Sequence, residues 1–414
     1  MSATPPAGST GPTIPAAESM PVVKRKGSGG ILVAVVVVLI ILVAGVAVAY
    51  EEKWFGSTKS SGTCGPLTLQ GDGAQFVQPL VDAWASDYNS ATGNQVNYPA
   101  SGSGTGLTHF SEHPPLIDFA ITDNPLSASE MAALPSAALT LPVIGGALAI
   151  VYNVPGVPTT SHIDLTGSVL AGIYLGLVTN WNSTAIASLN PTLHLPNASI
   201  TTVHRSGSAG TSYVLSDFLS QDNATWASHV GKSLTPSWPT APKQTGASSN
   251  ALVLSTVEST ADSIGYSDLT DYVILDSSAM GDAAIENPAH TFVVANLTNT
   301  ATAIADKVAS MPTLPTSTGN WYNVSMVNAN GTNDYPLATF AYLYVYQNTG
   351  AGFSPSQEKS EVLVQWIDWL LTTGQAAASG PNLYYAALPA SVLTIDQAGV
   401  STMTYNSAAV QACG

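Results

Sequence analysis

Three short turns rich in glycine, serine and threonine carry the residues best suited to chemistry: Gly71-Asp-Gly-Ala-Gln-Phe76, Ser101-Gly-Ser-Gly-Thr-Gly106 and Arg205-Ser-Gly-Ser-Ala-Gly-Thr-Ser212. Each precedes a stretch of helical pattern. A glycine-rich turn that opens a helix presents backbone N–H groups at the positive end of the helix dipole, which suits an anion. One such turn alone reads as an ordinary loop, because Gly and Ser dominate loops. Three in one chain, one of them opening on an arginine, shift the reading toward an oxyanion site. Arg205 is the only arginine after residue 50, and a guanidinium offers a planar fork that matches an oxyanion bidentately.

Enzymatic readings find less in the same residues. None of the turns contains the Gly-Lys-Ser/Thr of a P-loop or a Gly-x-Gly-x-x-Gly pattern. Neither Ser101–Thr105 nor Ser206–Gly210 completes a Gly-x-Ser-x-Gly nucleophile elbow. The stretch His109-Phe-Ser-Glu-His113 matches a His-x-x-Glu-His zinc pattern, which needs a helix running through both histidines and a third ligand. Pro114 and Pro115 follow at once and stop such a helix. These histidines are expected to hold no metal, and His204 reads as a strand-end residue rather than a base.

The elements that must position the turns follow from the apolar pattern. Strand-like runs at 147–152, 199–203, 292–295 and 340–346 alternate with helical patterns. Phe76, Leu80, Val81 and Trp84 follow helical spacing, as do Val362, Leu363, Trp366, Trp369 and Leu370. Such alternation predicts an α/β fold with a largely parallel sheet. The 414 residues carry 26 acids and 10 bases. Three bases and one acid fall in residues 1–50, leaving seven bases and 25 acids beyond, a net of −18. A surface this acidic excludes a nucleic-acid binder, which needs a basic footprint.

Residues 1–30 read as a polar cytoplasmic tail ending in Lys24, Arg25 and Lys26, followed by glycines. The unbroken apolar run from Ile31 to Ala49 is long enough to cross a bilayer as a helix. The bases before it and Glu51 and Glu52 after it place the N-terminus inside and the bulk of the chain outside. A cleaved signal peptide is the rival reading, but the run exceeds the usual signal core and the tail is long. A single-pass cell-membrane anchor at 31–50 and a stalk at 51–65 are expected. The two cysteines, Cys64 and Cys413, stand at the ends of the external portion and are expected to form one disulfide. Six glycosylation sequons, at Asn182, Asn197, Asn223, Asn296, Asn323 and Asn330, agree with an external location.

Taken in order, several segments resemble the phosphate-binding subunit of Pst-type ABC importers, a two-lobed (type II) periplasmic-type binding-protein family. They are Val96-Asn-Tyr-Pro-Ala-Ser-Gly-Ser-Gly-Thr-Gly106, Asp118-Phe-Ala-Ile-Thr-Asp-Asn-Pro-Leu-Ser127, Leu141-Pro-Val-Ile-Gly-Gly146 and Tyr152-Asn-Val-Pro-Gly156. Asn180-Trp-Asn182, Ala185-Ile-Ala187, Leu189-Asn-Pro191, Val203–Ser212, Ile264-Gly-Tyr266 and Ala387-Leu-Pro389 continue the series. The similarity runs with gaps from about Leu67 to about Val392.

By this resemblance the phosphate-binding set is Gln75, Phe76, Ser103, Asp123, Arg205, Ala209, Gly210 and Thr211. Ser103 matches the hydroxyl of the first loop, and Asp123 the carboxylate that accepts a hydrogen bond from the ligand. Arg205 matches the arginine. Gly210 and Thr211 match donors at a helix N-terminus, and Phe76 a backbone donor. Three positions depart from the pattern: Gln75 replaces a usual threonine, Gly207 a usual aspartate, and Ala209 a usual serine. Asp72 adds an unusual charge beside the pocket.

The resemblance further implies one lobe from 66–143 and 336–414 and another from 144–335, with strands crossing near Pro142–Gly146 and Tyr335–Thr339. It implies an anchored solute-binding protein without catalysis or cofactor. Such a protein delivers inorganic phosphate to ABC permease subunits driven by a cytoplasmic ATPase. A phosphate-ester hydrolase and an anchored sensing or adhesion protein are the alternatives on the same fold.

Overall fold

The computed structural model describes residues 64–239, 243–350 and 352–413. The expected tail, anchor and nearly all of the stalk lie outside these residues. Among the described residues no helix is long and apolar enough to cross a membrane.

Among the described residues nine strands build the main sheet: β1 (Thr68–Gly73), β2 (Gln95–Asn97), β3 (Phe119–Thr122), β4 (Ala138–Asn153), β5 (Thr201–Arg205), β6 (Gln244–Ala247), β7 (Ser263–Asp268), β8 (Gly281–Asp282) and β9 (Ala338–Tyr346). Their order is β2-β1-β3-β9-β4-β7-β5-β6, with β8 also paired to β4. The sheet is mixed, which corrects the expectation of a largely parallel one. β1 runs parallel to β2 and β3, and β5 runs parallel to β6 and β7. The long central strands β4 and β9 are antiparallel to each other and to their outer neighbours β7, β8 and β3. Burial of β4 from Ala138 to Tyr152 explains its unbroken apolar run, since a strand covered on both faces shows no alternation.

The helices that bear on the site are α1 (Gln78–Thr92), α2 (Ser103–Ser111), α3 (Gly210–Asp222), α4 (Asn250–Ser259), α5 (Leu269–Leu275), α6 (Leu297–Ser310) and α7 (Gln357–Leu370). Two apolar cores result. The first joins Leu80, Trp84, Phe119 and Ile121 to Tyr342, Trp366 and Ile367. The second joins Val203, Leu215, Phe218, Val253, Ile264 and Tyr266. β4 serves both, with Leu139–Ile144 in the first and Ala147–Tyr152 in the second. At the crossing, Gly146 lies so close to the Phe76 ring that a Cβ there would overlap it.

Within residues 297–329, assigned by sequence to the second lobe, Ala303, Ile304, Val308, Trp321, Met326 and Ala329 pack in the first core and Val327 in the second. The stripe Thr300, Ala303, Ile304 and Val308 is the buried face of α6, and a Cβ at Gly145 of β4 would stand 3.0 Å from Ile304. Cys64 and Cys413 form the expected disulfide, with Cα atoms 5.8 Å apart and a sequence separation of 349.

Candidate functional site

In open α/β sheets, ligands bind beyond the carboxyl ends of the strands. Here the carboxyl ends of β1, β3, β5 and β6 lead directly into the first turn, Asp123, the Arg205 turn and Ser248–Asn250. The parallel register Gly73↔Ile121 sets Asp123 beside the first turn. Gly102 N–H donates to Gly73 O at 2.7 Å, which joins the second turn to the first. Gly102 has φ 111°, a backbone that favours glycine. Ser208 of the third turn packs on Gly104 of the second, where a Cβ would overlap its hydroxyl. The three turns therefore meet at one place.

The helices that follow these turns start without a side-chain cap: Val77, Gly102 and Ala209 cap nothing with their side chains. By contrast α4, α6 and α7 are capped by Ser249, Asn296 and Ser356. At the meeting point Ser103 Oγ, Asp123 Oδ1, Asn124 Oδ1 and Arg205 Nε are buried and have no hydrogen-bond partner among the described residues. Buried polar atoms are nearly always paired, so a cluster of orphans marks a place for a ligand.

Arg205 ends β5 and is 4% exposed. Its Nη1 donates to Gln75 Oε1 at 3.1 Å and to Asn250 Oδ1 at 2.5 Å, and Nη2 donates to Ser248 O at 2.9 Å. A guanidinium has five N–H groups. Three are used, and the two left include Nε–H, so donors remain for an oxyanion. Burial pulls the Arg205 pKa down, opposed by Tyr266 and Asp123, yet a guanidinium stays charged.

Asp123 is 2% exposed, and burial pushes its carboxyl up to about 8 against the pull of Arg205. It lies against Gly210, the first residue of α3. Thr211 Oγ1 donates to Asn250 Oδ1 at 3.3 Å. One expected ligand residue is engaged elsewhere, since Ala209 N–H donates to Leu234 O at 2.9 Å; Phe76 is held by its carbonyl, which accepts from Tyr385 Oη at 2.7 Å, and not by the N–H expected to face the ligand. Gln75 turns its carbonyl oxygen to Arg205 and to Asn250 N–H.

Asp72 is not a ligand-facing charge. Its carboxylate accepts from Gly73 N, Ser101 N and Ser101 Oγ, and pairs with His109 Nδ1 at 2.8 Å. α2 ends at Ser111, and His113 instead rests against the Phe353 ring. The zinc-like spacing is therefore divided between a hydrogen bond from His109 and a ring contact of His113. Sequence reading missed Asn250, Ser248, Tyr266 and Asp268. The signal available for the first two was a fourth small-residue turn before a helix, Gly246-Ala-Ser-Ser-Asn250.

A family model described as a PBP superfamily domain matches residues 56–373. The phosphate-binding protein PstS of Xylella fastidiosa (strain Temecula1) is 32% identical over 328 residues, covering 78% of this chain and 82% of that one. PstS of Pasteurella multocida (strain Pm70) is 30% identical over 345 residues, covering 82% and 92%. The chain belongs to the PBP superfamily and, within it, to the PstS phosphate-binding proteins, a family of solute-binding proteins and not of enzymes. In fold it is similar to a high-affinity periplasmic phosphate-binding protein (PfluDING) solved with phosphate, at TM-score 0.61 and 20% identity, covering 80% and 93% of the two chains.

Proposed function

We propose that this chain captures inorganic phosphate outside the cytoplasm and hands it to the permease of an ABC importer. The observation that carries the reading is the cluster of unpartnered buried atoms, Ser103 Oγ, Asp123 Oδ1 and Arg205 Nε, where three turns meet. In this reading Arg205 supplies charge. Ser103 supplies a hydroxyl, the start of α3 supplies backbone donors through Gly210 and Thr211, and Asp123, once ionised, accepts a hydrogen bond from the proton that phosphate retains near neutral pH. Sulfate has no such proton. Gln75 acts through Arg205, and Ala209 contributes shape only.

The two cores define two lobes; the chain crosses between them at residues 145–146 of β4, returns to the first core with α6 and crosses again near residue 337, and closure of the lobes buries the anion and presents a surface to the permease. The apolar run 31–50 anchors the chain in the cell membrane with the N-terminus in the cytoplasm, and the external portion is open to glycans at its sequons. Support for the transport role comes from the relatives named PstS. Calorimetric titration of the purified full chain against phosphate, sulfate, arsenate and molybdate tests it. Tight binding of phosphate and arsenate with weak binding of sulfate is expected, and preference for sulfate or molybdate would overturn it.

A further inference from the structure

Gln75 and Asn250 belong to different cores. Gln75 follows β1, and its neighbours Ala74, Phe76 and Val77 pack in the first core. Asn250 opens α4, whose Val253, Leu254 and Val257 pack in the second, as does Val203 of the Arg205 strand. A single atom, Gln75 Oε1, accepts from Arg205 Nη1 and from Asn250 N, each at 3.1 Å. A carbonyl oxygen has two lone pairs, so these two bonds fill it. Both N–H groups of Nη1 are thereby fixed, one by each core, since Asn250 Oδ1 takes the other. Asn250 is itself held by Asp268, through Nδ2 at 3.3 Å.

The consequences follow from where these bonds lie. They cross the cleft, they exist only while the cores are together, and they aim the free edge of Arg205. We propose that Gln75 is a cross-cleft clasp, a positioning residue that holds the cleft shut over the bound anion and sets how slowly the anion leaves. This rests on the phosphate-binding reading of the same site. Because Oε1 is filled by protein donors, the clasp stabilises closure by the same amount whichever anion is inside. It therefore changes residence time and leaves the ratio between anions unchanged.

Replacing Gln75 by methionine keeps the length and removes the acceptor. In the full chain, Gln75→Met is expected to release phosphate and arsenate about tenfold faster, the scale of losing one charge-assisted hydrogen bond. The phosphate-to-arsenate ratio should not move. Small-angle scattering of the ligand-free variant should show a wider particle than wild type, and Gln75→Ala should behave alike. Gln75→Glu, which keeps the acceptor, should stay as compact as wild type without ligand. Unchanged release with unchanged scattering overturns the clasp, and so does faster release of one anion alone, which would make Gln75 a direct ligand contact. If wild type binds neither anion, the phosphate reading fails, while the ligand-free scattering still decides the clasp.

Discussion

The carboxyl of Asp123 lies directly over the bare Cα of Gly210, and any Cβ at 210 would run into it. The second core supplies the helix start and the first core the acid, so the smallest residue sits where the two must touch. Gly210→Ala is expected to keep the fold and displace Asp123. Overpacking of this kind costs about 1–3 kcal/mol, so phosphate affinity should fall about ten- to a hundredfold. Calorimetry measures it, and undiminished affinity would mean that the contact does not matter to the site.

Asp123 also sets two pH dependences. Its pKa is raised to about 8 in the folded chain, whereas a free aspartate titrates near about 3.9. Between those values the folded state keeps a proton that the unfolded state has lost. The contribution to stability is thus fully present below about pH 4 and is lost as pH rises to about 8. Asp123→Asn removes this slope. Unfolding midpoints of the ligand-free chain should rise for the variant relative to wild type across that window, and a fall would contradict the assignment.

Selectivity follows the same carboxyl. Ionised, it accepts from phosphate and repels sulfate; protonated, it can donate to either. The preference for phosphate over sulfate should widen as pH rises through about 8. Asp123→Asn should lose discrimination more than it loses phosphate binding, because an amide both donates and accepts. A preference unchanged by the substitution would remove Asp123 as the selector.

Asp72 ties the first two turns together by accepting from Ser101 and His109. Asp72→Ala leaves those donors without the carboxylate and should cost about 2–4 kcal/mol, from hydrogen bonds to a buried charge. His109→Ala should cost less, being partly exposed. Chemical denaturation reads both. Metal analysis should find no stoichiometric zinc in wild type, and zinc that disappears on His113→Ala would reopen the hydrolase reading.

The disulfide joins the two ends of the described fold. In the chain-entropy model a loop of this length gives about 5–6 kcal/mol as an upper value. Cys413→Ser should lower the unfolding midpoint, and unreduced wild type should yield a Cys64–Cys413 peptide by mass spectrometry. Two alkylated thiols in protein made under oxidising conditions would contradict it.

Much of the site was legible because its chemistry is local. Arg205 stands out in a chain otherwise nearly without arginine, and glycine-rich turns before helices are readable as anion cradles. Asn250 was not legible, because its importance comes from β6 lying beside β5 in register, with Arg205 opposite Ala247. The role of Asp72 was hidden for the same reason, as its partners are 29 and 37 positions away. In the fold, the α/β alternation was readable, but the antiparallel centre was not. Nothing local in β4 or β9 records the direction of its neighbour. The place of α6 in the first core likewise depends on a return of the chain that only packing reveals.

Arg205 carries the charge on which the phosphate reading stands. Calorimetric titration of phosphate into the full chain, wild type beside Arg205→Ala, tests it most directly. One site per chain in wild type, with loss of at least about a hundredfold in affinity in the variant, is expected from removal of a charge-assisted bidentate donor. Equal binding by the two proteins, or no phosphate binding by wild type, would contradict it.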